Sequence, residues 1–206
     1  MGNETIRVVR HKSAALGPPQ HSAAPAAPHV KRWDAWMDLT APDIKKFDTI
    51  KDGDRIADYQ NVTLKGFLST FKGTTESDRE GDYVEPGAFT QTLEIFRRNP
   101  VLLVDHRNSV ENIAGSFTAV KETAQGLQVE ARLSNAPTEI MRDVRAKVAE
   151  GHIRSLSMGG VFHYNTDGRG IFKVDLYEGS LVAIPANPDA VFSVRELTAE
   201  EQKKLN

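Results

Sequence analysis

The chain has 206 residues, with 26 Lys and Arg against 28 Asp and Glu, and no cysteine. The length suits one domain of roughly 150 residues with a tail. The balanced charge gives no field to recruit nucleic acid or an anionic membrane, and the missing thiols exclude disulfides, thiolate metal sites and a cysteine nucleophile. No apolar run approaches the ~18 residues of a membrane span, and the N-terminus lacks the apolar core of a secretory signal. The chain therefore reads as soluble and intracellular.

In chain order, residues 1–45 read as a disordered tail or propeptide, because residues 13–30 are rich in Ala, Pro and Ser and show neither helical nor strand periodicity. A folded domain is expected over 46–195. Val62–Phe71 is β-rich and ends in the polar stretch from Lys72 to Gly81. Pro86 opens a predicted helix with Phe89, Leu93 and Phe96 on one face, stopped by Asn99-Pro100. Val101–Val104 is a short buried strand that delivers His106, and residues 113–121 and 127–133 form a hairpin through Gly126. A second helix over Pro137–Glu150 buries Ile140, Met141, Val144 and Val148 and ends at Gly151. Ser155–Tyr164 and Ile171–Ile184 make another hairpin, and Thr198-Ala199-Glu200-Glu201 caps a short terminal helix in 196–206. The pattern predicts an α+β fold with a mostly antiparallel, barrel-like sheet.

Three blocks carry the chemistry: a His at the end of Leu102–Val104, a Ser in Leu156-Ser157-Met158-Gly159, and a Glu in Leu176-Tyr177-Glu178. A hydroxyl becomes nucleophilic when an imidazole takes its proton and a carboxylate fixes the imidazole tautomer. By spacing alone His106 reads equally as a structural histidine, and Ser157 as an ordinary strand serine. Strict alternation puts Glu178 on the face of Val174, Leu176 and Val182, where a carboxylate needs a partner and His106 would serve. Asp105 and Asp175 are the alternative carboxylates. Amides near Gly159, or Arg154, are candidates to hold an oxyanion. There is no Gly-x-Ser-x-Gly elbow and no phosphate or dinucleotide glycine loop. A metal site built from His106 and His163 has no supporting spacing, so neither metal nor cofactor is expected.

Val84-Glu85-Pro86-Gly87-Ala88-Phe89, Leu102-Leu103-x-x-His106, Gly126-Leu127, Leu156-Ser157-Met158-Gly159 and Glu178-x-Ser180-Leu181-Val182-x-x-Pro185-Ala186-Asn187-Pro188 occur in this order over residues 62–195. Together they resemble the prohead (capsid maturation) serine proteases of tailed bacteriophages, which are distantly similar to herpesvirus assemblin. The resemblance implies a β-barrel surrounded by helices, with Ser157 as nucleophile, His106 as general base and Glu178 as third member. It also implies a serine endopeptidase inside the phage procapsid in the host cytoplasm. Its substrates would be the scaffolding segment of the major capsid protein and the protease itself, with portal or other procapsid proteins as further partners. Alternatives are a non-catalytic procapsid scaffold or binding protein of the same fold, or another serine hydrolase such as an esterase. Val104-Asp105 before the histidine, Met158 and Gly160 depart from the usual pattern of this family.

Overall fold

A computed structural model describes residues 5–7, 61–73 and 76–196. Most of the expected N-terminal tail and the whole expected C-terminal helix lie outside the described residues. The architecture is a nine-stranded sheet: β1 (Thr5–Arg7), β2 (Val62–Thr70), β3 (Tyr83–Val84), β4 (Val101–Val104), β5 (Ile113–Thr123), β6 (Gly126–Leu133), β7 (Ser155–Tyr164), β8 (Gly170–Val182) and β9 (Phe192–Glu196). The strand order is β1-β7-β8-β4-β5-β6-β2-β9, with β3 pairing to β8 off this path.

Both predicted hairpins form. In β5–β6, Gly126 takes φ +147, and a Cβ there would press on the backbone of Ser69 and Thr70, so the turn residue also permits close strand packing. In β7–β8, Gly168 adopts φ +72 in the connecting loop. The sheet is mixed, because β3 and β4 both run parallel to β8. It is not a closed barrel either. Its path is open, and Val191, just before β9, joins Ser155 at the start of β7 through an isolated bridge. Leu156 N donates to Ala190 O (2.8 Å), Phe192 N to Arg154 O (3.0 Å) and Phe67 N to Val191 O (3.1 Å). These bonds curl the sheet and tie the start of β7 to β2 through the 190–192 segment.

Among the described residues the helices are α1 (Leu93–Phe96), α2 (Glu139–Ala149) and a 3-10 turn at Val110–Asn112. The helix expected from Pro86 is thus reduced to its last turn. Gly87 takes φ +93, a left-handed conformation that cannot continue a right-handed helix. The Glu122 carboxylate accepts the N–H groups of Gly87 and Phe89 and the Thr90 hydroxyl in place of helical partners. Phe89, Leu93 and Phe96 are nevertheless all buried, so the apolar spacing reports the core-facing side even where the backbone is a run of turns. α2 matches its expectation. Thr138 caps it by accepting from Met141 N (3.4 Å). Its end is a Schellman motif, with Gly151 at φ +78, Gly151 N donating to Val148 O (3.1 Å) and His152 N to Lys147 O (2.8 Å). Met141, Val144 and Val148 join a core with Leu64, Leu102, Phe117, Leu156, Phe162 and Leu181. No helix among the described residues is long and apolar enough to cross a membrane.

Candidate active site

The site lies on the sheet face opposite the core, and a bulge in β8 decides which side chains reach it. Gly159 of β7 pairs with Glu178, but its neighbour Gly160 pairs with Leu176, so Tyr177 is an extra residue in the ladder. Successive residues of β7 point to opposite faces, and the residues they pair with must do the same. Leu176 therefore faces the core while Glu178 faces away from it, a phase shift that an extra residue in a ladder produces. Tyr177 is exposed, and Leu176 and Leu181 are core residues. Gly179 is core-facing too, since a Cβ there would strike Phe117 and Leu68. The sequence expectation that Glu178 shares a face with Leu176 is corrected by this bulge. Its need for a partner stands.

The partner is His106. Its Nδ1 lies 2.7 Å from Glu178 Oε1, and both side chains are withdrawn from solvent, at 2% and 12% exposure. β4 delivers the histidine as expected, through parallel pairing with β8: Leu103 pairs with Ser180 and Val104 with Leu181. Asp105 N then donates to Leu181 O (3.0 Å) and Arg107 N to Val104 O (3.0 Å). Between these bonds Asp105 and His106 both adopt left-handed backbone, at φ 50 and 56. A non-glycine residue there costs of order 1–3 kcal/mol, and such strain persists only where surrounding bonds enforce it. This turn aims the imidazole back at β8.

Ser157 is buried and stands directly across the β7–β8 ladder from Ser180. Ser180 is a residue to which the sequence assigned no role. It is fully buried, its Oγ accepts the His106 N–H (3.1 Å), and its hydroxyl donates to Glu178 Oε2 (2.6 Å). The signal for it was present in the Glu178-x-Ser180 spacing, since residues two apart in a strand share a face. The three candidates thus converge on one residue: Glu178 and the His106 backbone bond to Ser180, and Ser157 is its cross-strand neighbour.

The remaining candidates go elsewhere. Asp175 holds a different histidine, with His163 Nε2 at 2.7 Å and Lys173 Nζ at 3.2 Å from its carboxylate. Partial burial raises the Asp175 pKa, but the bonds from His163 and Lys173 outweigh that and leave it below the ordinary value. His106 and His163, weighed above as joint metal ligands, each contact a different carboxylate. Gly159 gives room to the protein itself: a Cβ there would fall on the Glu178 carboxylate, 2.8 Å from Cδ. Arg154 Nε donates to Gly151 O (2.6 Å) at the end of α2.

A small cleft beside Ser157, with a free volume of about 20 Å³, is lined by Leu68, Ser69, Thr70, Val84, Met158, Ala186 and Asn187 among others. The Pro185-Ala186-Asn187 stretch forms part of its wall. Arg79 fastens it by donating from Nη1 to Pro185 O (2.6 Å) and from its backbone N to Ala186 O (3.0 Å). Asn187 Nδ2 donates to Thr70 O (3.2 Å). A carboxylate-held imidazole on one strand pair, with a buried serine and a cleft on the next strand, is the set of groups a serine hydrolase uses.

Comparison with known proteins gives the family. The model of the caudovirus prohead serine proteases matches residues 47–205, and the chain belongs to that family. The prohead protease of Escherichia phage T5 is 25% identical over 142 residues, 65% of this chain and 62% of that protein, so the chain spans a little under two thirds of the relative's length. Among solved structures, the KSHV protease bound to a hexapeptide phosphonate inhibitor aligns with 71% of this chain and 75% of its own, at 12% identity and TM-score 0.44. The varicella-zoster virus protease aligns with 71% and 74%, at 14% identity and TM-score 0.40.

Proposed function

We propose that this chain is a serine endopeptidase of capsid maturation, acting within the procapsid on the scaffolding segment of the major capsid protein and on itself. Membership of the prohead serine protease family supports the class of reaction. The observation that carries the residue assignment is the 2.7 Å bond between His106 Nδ1 and Glu178 Oε1. An ionised carboxylate only accepts hydrogen bonds, so Nδ1 bears the imidazole proton and Nε2 bears the lone pair.

In this reading Ser157 Oγ attacks the scissile carbonyl carbon while its proton passes to His106 Nε2. Glu178 steadies the imidazolium that results, and the imidazolium protonates the leaving amine as the tetrahedral intermediate collapses to an acyl-enzyme. Water, deprotonated by the same imidazole, releases the acyl group and restores the serine.

The test is the full chain with its own capsid precursor, comparing the parent with Ser157→Ala. The parent cleaves the precursor. The variant folds with an unchanged circular dichroism spectrum and loses cleavage by about 10³-fold or more, as removal of a catalytic nucleophile does. Cleavage by Ser157→Ala at the parent rate would falsify the assignment.

A further inference from the structure

We infer that Ser180 is a positioning residue that sets the orientation of both His106 and Glu178. The inference rests on the triad reading above and adds to it a residue to which the sequence assigned no role. One hydroxyl does two jobs at once. Its oxygen accepts the His106 backbone N–H at 3.1 Å, and its hydrogen goes to Glu178 Oε2 at 2.6 Å. Ser180 is 0% exposed, so water does not substitute for either bond.

The geometry makes the hydroxyl a hub. His106 sits in a left-handed turn, and its N–H is the group by which β8 grips that turn at the histidine itself. With Oε2 held by Ser180, the carboxylate of Glu178 is left to present Oε1 to Nδ1. Glu178, Ser180 and the turn thus form a closed ring of bonds: Nδ1 to Oε1, Oε2 to the serine hydroxyl, and Oγ back to the histidine backbone. A ring of this kind fixes the imidazole against both translation along β4 and rotation about its side-chain torsions. Positional errors of about 1 Å in such a group lower a rate by about 10²-fold. The bonds of Ser180 go to the His106 backbone and the Glu178 carboxylate, so in this reading its action runs through the two residues it holds.

The experiment uses the full-length chain and a fluorophosphonate probe, together with proton NMR of the imidazole. Attack on the probe forms a Ser157 Oγ–P bond and expels fluoride, with the serine proton passing to His106, so labelling reads nucleophile activation without the capsid substrate. For Ser180→Ala the maximal labelling rate is expected to fall 10- to 100-fold while the probe's half-saturating concentration stays within about two-fold. The downfield Nδ1–H resonance of the carboxylate-bound imidazole shifts or disappears. Ser180→Cys keeps a weak donor and gives intermediate values on both measures. It also serves as the deciding variant if Ser180→Ala does not fold. A parent-like labelling rate and an unmoved Nδ1–H resonance in the folded variant overturn the inference. The triad reading fails differently, through labelling of Ser157→Ala or a parent that never labels. In that event the resonance still reports whether Ser180 positions the imidazole.

Discussion

Gly159→Ala tests the site through a residue that bears no chemistry of its own. The added Cβ would lie 2.8 Å from Glu178 Cδ and 3.3 Å from Cγ, with Oε1 nearer still. Carbon atoms rest about 3.5 Å apart at contact, so Cδ has to retreat by roughly 0.7 Å and Oε1 by more. The bond from Oε1 to His106 Nδ1, 2.7 Å long, then stretches beyond hydrogen-bonding range. The three atoms nearest the methyl all belong to the Glu178 side chain, which has rotamers through which to give way. The variant should fold, with a melting temperature within a few degrees of the parent, and should lose about 10²-fold in kcat, the cost of displacing a positioned group by about 1 Å. By transition-state arithmetic that is about 2.7 kcal/mol. Cleavage of the capsid precursor, followed by gel over time, measures the rate, and calorimetry measures the fold. Parent-like cleavage by a folded Gly159→Ala would refute the claim that Glu178 works through His106. So would a large drop in melting temperature that accounts for all the lost activity.

Two further substitutions separate fold from site. Gly66→Ala is the structural counterpart, because its Cβ would meet the backbone of Val191 and Phe192, which has no free rotamer. Overpacking of this sort costs about 1–3 kcal/mol, or roughly 3–10 °C in melting temperature, and an unchanged melting curve would contradict the packing described. Asp175→Asn probes pH. The Asp175 carboxyl has its pKa lowered in the fold, so its stabilisation is present above the unfolded value near ~3.9 and is lost as pH falls through the folded value. The parent should therefore melt above the variant at pH 7, with the gap closing as pH drops below ~4. A gap that is independent of pH would show that the ionised Asp175 carboxylate contributes nothing through its bonds to His163 and Lys173.

Local signals were legible in the sequence where local physics decides the structure. The bounds of β4, the two hairpins and the Schellman end of α2 follow from apolar period and Gly151, while the Thr138 cap starts α2 at Glu139, two residues after the expected Pro137. The segment after Pro86 kept its buried face but lost its helix, because a glycine conformation and a distant carboxylate, Glu122, outbid helical bonding. Glu178 was found by a rule that was half right. Its need for a partner was readable, but its face was not, since nothing in Leu176-Tyr177-Glu178 announces that Tyr177 falls outside the ladder. Ser180 was visible as a residue and silent as to role, while Gly159 was read as a source of oxyanion-holding amides and not as room for the Glu178 carboxylate. Their parts depend on which strand lies beside β8, and the parallel placement of β4 is a long-range choice that no window of sequence contains.

That placement has a consequence for when the site exists. His106 and Glu178 are 72 residues apart along the chain, and both hairpins, β5–β6 and β7–β8, lie in or adjoin the interval. Hairpins close within microseconds, whereas pairing two distant strands has to offset a much larger loss of chain freedom. On these grounds the β7–β8 arm, with Ser157 opposite Ser180, is expected to gain protection before β4 docks beside it, an order that pulsed hydrogen exchange during refolding would read. In the proposed reading, the histidine and its carboxylate come together only when the sheet is complete.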